Sequence, residues 1–171
     1  MSVQLKDGAG KTILVRQMGF DEIHPNPFNF EDPDQGGHKI VVIGKPGVGK
    51  SVFISALMRS KRNIIPVTVA MNGTEASTGF YRKRLPDLFV FDGYDENVVK
   101  NVPIRQKQAR RELKNPWLMF IIDDCTEDPK VLNTPPIHDI FKNGRHFKML
   151  FVLSLQYALD VKPAIRACID I

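Results

Sequence analysis

From residue 39 onward, short apolar runs alternate with stretches whose apolar residues recur at helical spacing. The runs Lys39–Ile43 (KIVVI), 66–71 (PVTVAM), 87–91 (DLFVF), 117–122 (WLMFII) and 147–153 (FKMLFVL) predict strands. Helices fit 50–62, where Phe53, Ala56 and Leu57 share a face, then 76–84, 95–114 with a break at Pro103, and 129–143. Asp128 and Pro129 supply an N-cap and a first helical residue, and Gly144 a C-cap. Such alternation predicts an α/β domain, a mostly parallel sheet with helices on both faces and ligands at the carboxyl ends of the strands. Ahead of it lie one strand candidate at 12–16 and a loop-rich stretch, 17–38, holding Pro25, Pro27, Pro33, Gly36 and Gly37. The chain therefore divides into an N-terminal strand and loop-rich segment, 1–37, and a domain, 38–171. Cys168, Ile169, Asp170 and Ile171 read as the start of a further apolar strand, so the domain is expected to be incomplete at its C-terminus.

Between the first strand and the first helix stand Gly44, Lys45, Pro46, Gly47, Val48, Gly49, Lys50 and Ser51, which satisfy G-x-x-x-x-G-K-[ST]. On a strand-to-helix turn the backbone N–H groups can wrap phosphate oxygens, and the helix N-terminus adds partial positive charge. Lys50 can then reach the β- and γ-phosphates of ATP, and the Ser51 hydroxyl can bind Mg²⁺. An ordinary glycine turn needs neither the lysine nor the hydroxyl. A second G-K-T, at Gly10, Lys11 and Thr12, fails because Leu5 holds the required glycine position and the following ILVR reads as a strand.

A chain of 171 residues is long enough for one well-filled core, and its longest apolar runs are strand-length, too short to span a bilayer. Cys125 and Cys168 match no metal or redox spacing, and the four histidines do not cluster with them, which suits an intracellular protein with free thiols. The net charge of +5 is uneven. Residues 1–38 carry three Lys/Arg against six Asp/Glu, whereas 39–171 carry 21 against 13. The densest stretch holds Lys100, Arg105, Lys107, Arg110, Arg111 and Lys114 against Glu112, with only Ile104, Ala109 and Leu113 free to face a core. Such a run is either a solvated face or a surface for a polyanion. Arg82, Lys83 and Arg84 form a second cluster.

The apolar run 117–122 leads directly into Asp123 and Asp124. A strand ending in carboxylates puts them at the rim of the sheet beside the phosphates. Asp123 would hold Mg²⁺ through water, and Asp124 would orient the attacking water. The last strand candidate leads to Ser154, Leu155 and Gln156, whose amide could report the γ-phosphate.

Together these residues resemble the FtsK/HerA superfamily of DNA-pumping ATPases. Asn72 to Glu75, Gly79 to Tyr81, Pro86, Gln106, Gly144 to His146, Leu155 to Tyr157, Pro163, Ile165 and Arg166 are similar to the genome-packaging ATPases of poxviruses and other large nucleocytoplasmic DNA viruses. The resemblance covers 38–171 and implies a RecA-like P-loop NTPase core with the Gln156 strand between the phosphate-loop strand and the Asp123 strand. It further implies a homo-oligomeric ring around double-stranded DNA, capsid or virion membrane proteins as partners, and a place in the infected cell's cytoplasm or the virion. The Asp-Asp pair departs from the Asp-Glu usual in the wider superfamily.

Two functions compete: an ATP-driven DNA translocase, and a nucleotide-dependent assembly switch that does not pump. Asp124 and Gln156 favour hydrolysis, because a binder needs no water-positioning acid. In a ring, Arg145, between a helix C-cap and the Gln156 strand, is a candidate to reach a neighbour's ATP, with Arg166 as its competitor.

Overall fold

The computed structural model describes residues 2–6, 10, 12–16, 18–32, 34–125, 128–157 and 161–171. Strand β1 (Ser2–Lys6) forms an antiparallel hairpin with β2 (Thr12–Arg16). The sequence pattern marked only the second of these. Thr12 opens a strand rather than a helix, as expected for the rejected G-K-T.

The remaining elements run β3 (Lys39–Ile43), α1 (Lys50–Lys61), β4 (Val67–Asn72), α2 (Glu75–Arg82), β5 (Val90–Asp92), α3 (Glu96–Glu112), β6 (Leu118–Asp123), α4 (Pro135–Asn143), β7 (Met149–Leu155) and α5 (Pro163–Arg166). The five strands β3 to β7 form one sheet in the order β3-β7-β6-β4-β5, every pair parallel. The strand leading to Gln156 thus lies between the phosphate-loop strand and the Asp123 strand. Alternate residues feed two cores. Ile40, Ala70, Met119, Ile121 and Val152 meet Ile54 and Leu57 of α1 and Tyr81 of α2. Met71, Phe120, Ile122 and Phe151 meet Val99 and Val102 of α3 and Ile137, Ile140 and Phe141 of α4. Burial on both faces explains why the strands read as continuous apolar runs rather than alternating ones.

Four local readings are corrected. Within 87–91 only the end is strand: Phe89 N–H bonds back to the Pro86 carbonyl (2.9 Å), closing a 3₁₀ turn over Asp87–Phe89 that leaves Leu88 79% exposed. Helix α3 passes through Pro103 unbroken. Loss of that N–H costs on the order of 3 kcal/mol in a helix interior, but Pro103 lies on the buried stripe Val99, Val102, Pro103, Gln106 and Ala109, whose packing offsets it. Of the three residues expected to face a core, only Ala109 is buried, while Ile104 and Leu113 are 62% and 50% exposed. The stretch 129–143 divides in two. Asp128 does cap, its carboxylate accepting from Lys130 N–H (2.9 Å), yet over a 3₁₀ turn, Pro129–Asn133. Helix α4 starts at Pro135, where two prolines lack N–H groups that the first turn leaves unbonded anyway. Gly144 caps α4 in right-handed geometry (φ −54°), and the turn continues to Phe147 before Lys148 takes the left-handed φ of 51°.

The segment ahead of β3 packs onto this core through buried donors. Lys61 Nζ donates to the carbonyls of Phe20 (2.6 Å) and Ile23 (2.5 Å), Trp117 Nε1 to Phe30 (2.7 Å), and Lys148 Nζ to Gln35 (2.7 Å). On the side of β3 away from β7, Val41 N–H donates to the Ile171 carbonyl (2.9 Å) and Asp170 N–H to that of Lys39 (2.9 Å).

Candidate nucleotide-binding site

The loop between β3 and α1 is shaped by its glycines. Gly47 and Gly49 have φ of 81° and 95°, the left-handed region that costs glycine nothing. Gly49 is also the N-cap of α1, and no side chain bonds the first N–H groups of that helix. Four donors and the positive end of the helix dipole therefore face the loop, which is the arrangement that binds phosphate. Lys45, Pro46, Gly47, Val48 and Ser51 are exposed around it, while Gly44 is tied to the sheet through its N–H to the Leu155 carbonyl (3.1 Å). Lys50 crosses the base of the loop. Its Nζ donates to the Gly44 carbonyl (2.6 Å) and lies 3.8 Å from Asp124 Oδ2.

The two carboxylates that follow the apolar run have different surroundings. Asp123 ends β6 and is 2% exposed; Asp124, just beyond, has the left-handed φ of 52° and is half-buried. Asp124 Oδ2 accepts from Gln156 Nε2 (3.0 Å) as well as facing Lys50, so three residues singled out by the sequence meet at one oxygen. The turn is gripped from both neighbouring strands: Asp124 N–H donates to the Ser154 carbonyl and Gly73 N–H to that of Asp123, both at 3.2 Å. A Cβ at Gly73 would collide with the Asp124 carbonyl oxygen, so only glycine allows this approach. Asp123 instead accepts the Tyr81 O–H at its Oδ2 (2.9 Å). Burial, and then the Asp123 charge, push the phenol well above its ordinary range, so Tyr81 serves as donor. Burial and Asp123 likewise push the Cys125 thiol up to about 12, leaving it protonated and inert.

One register row collects this polarity. Asp92 of β5, Asn72 of β4, Asp123 of β6 and Ser154 of β7 stand side by side at the carboxyl ends. Helix α2 binds three of them. Thr78 Oγ1 bonds Asn72 Oδ1 (2.7 Å) and Asp92 Oδ1 (3.1 Å), Arg82 pairs with Asp92 (2.9 Å), and Tyr81 holds Asp123. The contacts that Thr78 and Tyr81 make along this row are not visible in sequence, since the partners are brought together by strand pairing and a helix rather than by a motif.

The donors present suit Mg²⁺. It prefers oxygen ligands, keeps several waters and takes one or two protein groups together with substrate phosphates. The Ser51 hydroxyl stands in the first turn of α1, Asp123 supplies a carboxylate with one oxygen undonated among the described residues, and the neighbouring Ser154 Oγ is buried without a partner among them. Among the described residues no three His, Cys, Asp or Glu gather as a cage, so any metal here would rest on these groups and on the phosphates.

Other candidates make their contacts elsewhere in the chain. Arg145, in the turn before β7, pairs with Asp170 (2.5 Å), which also pairs with Lys39 (3.1 Å). This is the amino end of the strands, so the seven residues of β7 put about 20 Å between Arg145 and the loop after β3 in the same chain. Arg166 Nε donates to the Val161 carbonyl (2.7 Å). In the basic run most cations serve the chain itself: Lys100 pairs with Glu96 (2.9 Å), Arg105 donates to Gln106, Arg110 to the His146 carbonyl, and Lys107 sits over the Phe147 ring (5.6 Å). Arg111 and Lys114 are exposed. No helix among the described residues is long and apolar enough to cross a membrane.

No protein-family profile matches the chain. Among curated proteins it is 52% identical over 168 residues to "Uncharacterized protein 088R" of Invertebrate iridescent virus 3, covering 98% of this chain and 64% of that protein. It is 40% identical over 160 residues to "Uncharacterized protein 015R" of Frog virus 3, covering 92% and 49%. It is 33% identical over 141 residues to "Uncharacterized protein L437" of Acanthamoeba polyphaga mimivirus, covering 77% and 49%. The chain thus spans 49% to 64% of the length of these viral relatives. Among solved structures, EssC (ATPases 2 and 3) from Geobacillus thermodenitrificans matches with a TM-score of 0.62 at 14% identity, over 98% of this chain and 35% of that one. B204, the DNA-packaging ATPase from Sulfolobus Turreted Icosahedral Virus, matches at 0.56 and 22% identity, over 81% and 73%. B204 from Sulfolobus turreted icosahedral virus 2, in complex with ATP-gammaS, matches at 0.51 and 20%, again over 81% and 73%. The fold is therefore the α/β parallel-sheet fold of P-loop ATPases.

Proposed function

We propose that this chain is the ATP-hydrolysing core of a double-stranded DNA translocase, working as a viral genome-packaging motor. The observation that carries the reading is the meeting of Lys50 and Gln156 at one oxygen of Asp124, at the base of the phosphate loop. Residues Gly44 to Ser51 hold the triphosphate, and Ser51 and Asp123 hold Mg²⁺. Asp124 orients the attacking water, and Gln156 exchanges its Asp124 contact for the γ-phosphate, so that the amide reports nucleotide state. The viral relatives and the packaging ATPases that share the fold support the biological setting: a homo-oligomeric ring on DNA, engaging capsid or virion membrane proteins in the infected cell or virion. The test is ATP hydrolysis with and without double-stranded DNA, on this chain and on a C-terminally extended form. DNA-stimulated turnover is expected. Tight ATP binding without turnover in either form would favour the assembly switch instead.

If the basic run touches DNA, its free cations are the ones to test. Every DNA phosphate that the protein no longer neutralises should reduce the slope of log affinity against log salt by about 0.9. Changing Arg111→Gln and Lys114→Gln together is expected to flatten that slope. An unchanged slope and affinity would make this end of α3 a solvated face or a subunit contact.

Arg145 is too far from its own phosphate loop to act within one subunit, but in a ring it supplies charge to the neighbour's transferring phosphoryl group, a contribution of about 10³ to 10⁵ in rate. Mixing Lys50→Ala with Arg145→Ala, each inactive alone, is then expected to return part of the activity, because some interfaces pair an intact loop with an intact arginine. Zero activity in demonstrated mixed oligomers would reduce Arg145 to its pairing with Asp170.

A further inference from the structure

We infer that Tyr81 is a positioning residue for the metal-side carboxylate: from α2 its O–H fixes one oxygen of Asp123 and leaves the other to the water shell of a divalent cation, given the Mg²⁺–ATP site proposed above. Asp123 is 2% exposed and Tyr81 fully buried. A buried carboxylate requires donors, and among the described residues no cation lies within ion-pair distance of Asp123 and its side chain receives one hydrogen bond, from Tyr81 at 2.9 Å. Without that bond no hydrogen-bond donor among the described residues sets the torsion of the carboxylate.

The phenol is itself held in place. Thr74 caps α2 by accepting from Ser77 N–H (3.2 Å), Thr78 ties the helix to Asn72 and Asp92, and Arg82 ties it to Asp92 again. The Phe80 ring lies edge-on to Tyr81, with centroids 5.0 Å apart and planes at 89°. Tyr81 therefore reaches Asp123 from a helix fastened to the ends of β4 and β5, while Gly73, which leads into that helix, holds the backbone of Asp123. The side chain and main chain of one acid are set by one neighbouring segment. Next to it, the buried and unpartnered Ser154 Oγ adds a second oxygen to the same row. Groups that orient a metal's ligands in this way are commonly worth about 10- to 100-fold in metal affinity or activity.

Tyr81→Phe removes one oxygen and keeps the ring. In the nucleotide-bound protein, with a non-hydrolysable ATP analogue and Mn²⁺ as the probe, electron paramagnetic resonance of free Mn²⁺ is expected to show affinity falling about 10-fold or more. Affinity for the analogue without metal should stay at the wild-type value, and adding Tyr81→Phe to Asp123→Asn should weaken Mn²⁺ no further. If Tyr81→Phe binds Mn²⁺ as the wild type does, or only melts at a lower temperature, while Asp123→Asn is weakened, Tyr81 is a core residue and the inference fails alone. If Asp123→Asn also binds Mn²⁺ normally, the metal role of Asp123 fails, and that of Tyr81 with it. A variant that does not fold is replaced by a wild-type measurement: the ring-carbon resonance of Tyr81, one of three tyrosines, should shift when Mg²⁺ joins the bound nucleotide. A resonance indifferent to Mg²⁺ overturns the inference.

Discussion

Lys50→Ala is expected to lower ATP turnover by about 10²- to 10³-fold, the loss that follows removal of one preorganised group from the charge of a transition state. Lys50 is the first residue of α1, and its Nζ is already within 2.6 Å of the Gly44 carbonyl at the base of the loop. No long reorganisation is needed to bring it onto the β- and γ-phosphates. Backbone N–H groups remain in the variant, so nucleotide should still bind, though more weakly. The measurement pairs steady-state hydrolysis with a direct titration of a fluorescent ATP analogue. Turnover within a few-fold of wild type would mean that the loop does not hold the triphosphate in the proposed way.

Asp124→Asn is expected to separate binding from chemistry. Asparagine keeps the size of the side chain and can still meet Gln156, but it gives up the charge that faces Lys50 and the capacity to take a proton from water. A positioned general base commonly contributes about 10² to 10⁴ in rate, so hydrolysis should fall on that scale while affinity for Mg²⁺–ATP is retained or improved. The left-handed φ of Asp124 strengthens the test, because asparagine tolerates that conformation as readily as aspartate and the backbone need not move. Wild-type turnover in Asp124→Asn would transfer the placing of water to Gln156. A parallel Gln156→Ala, reading loss of turnover without loss of binding, then decides.

The glycine turn between β3 and α1 was legible because its pattern is local: eight consecutive residues carry the turn, the cation and the hydroxyl. The place of the Gln156 strand between the β3 and Asp123 strands followed from the family resemblance, whereas the places of β4 and β5 did not. The strands of the main sheet fell within a few residues of their observed bounds because burial on both faces makes them nearly all apolar. What could not be read depended on contacts distant in sequence. Tyr81 and Asp123 are 42 positions apart, and nothing in the spacing of a single helix says which strand end its phenol will meet. The face of α3 was misjudged for a related reason. Gln106 is fully buried, its amide bonded to the carbonyls of Pro116 (2.9 Å) and Phe147 (2.8 Å), so a polar residue marks the core side while Ile104 points to solvent. The basic run was conspicuous in composition, but most of its cations are spent on partners within the chain.

The strand order has a consequence for how this protein is made. The strand β3 that carries the phosphate loop pairs with β7 and with no other strand of the described sheet, and more than a hundred residues separate the two. During synthesis, β4, β5 and β6 can pair as they emerge, whereas β3 must wait for β7 before it has a neighbour among the described strands. Asp124 waits too, because its N–H and its carboxylate are bound by Ser154 and Gln156. A nascent chain stopped ahead of Met149 would then display the complete motif and yet hold no site. If ATP binds as proposed, competence for it arrives when β7 pairs with β3, and ATP then favours the chain with β3 and β7 paired over every shorter intermediate.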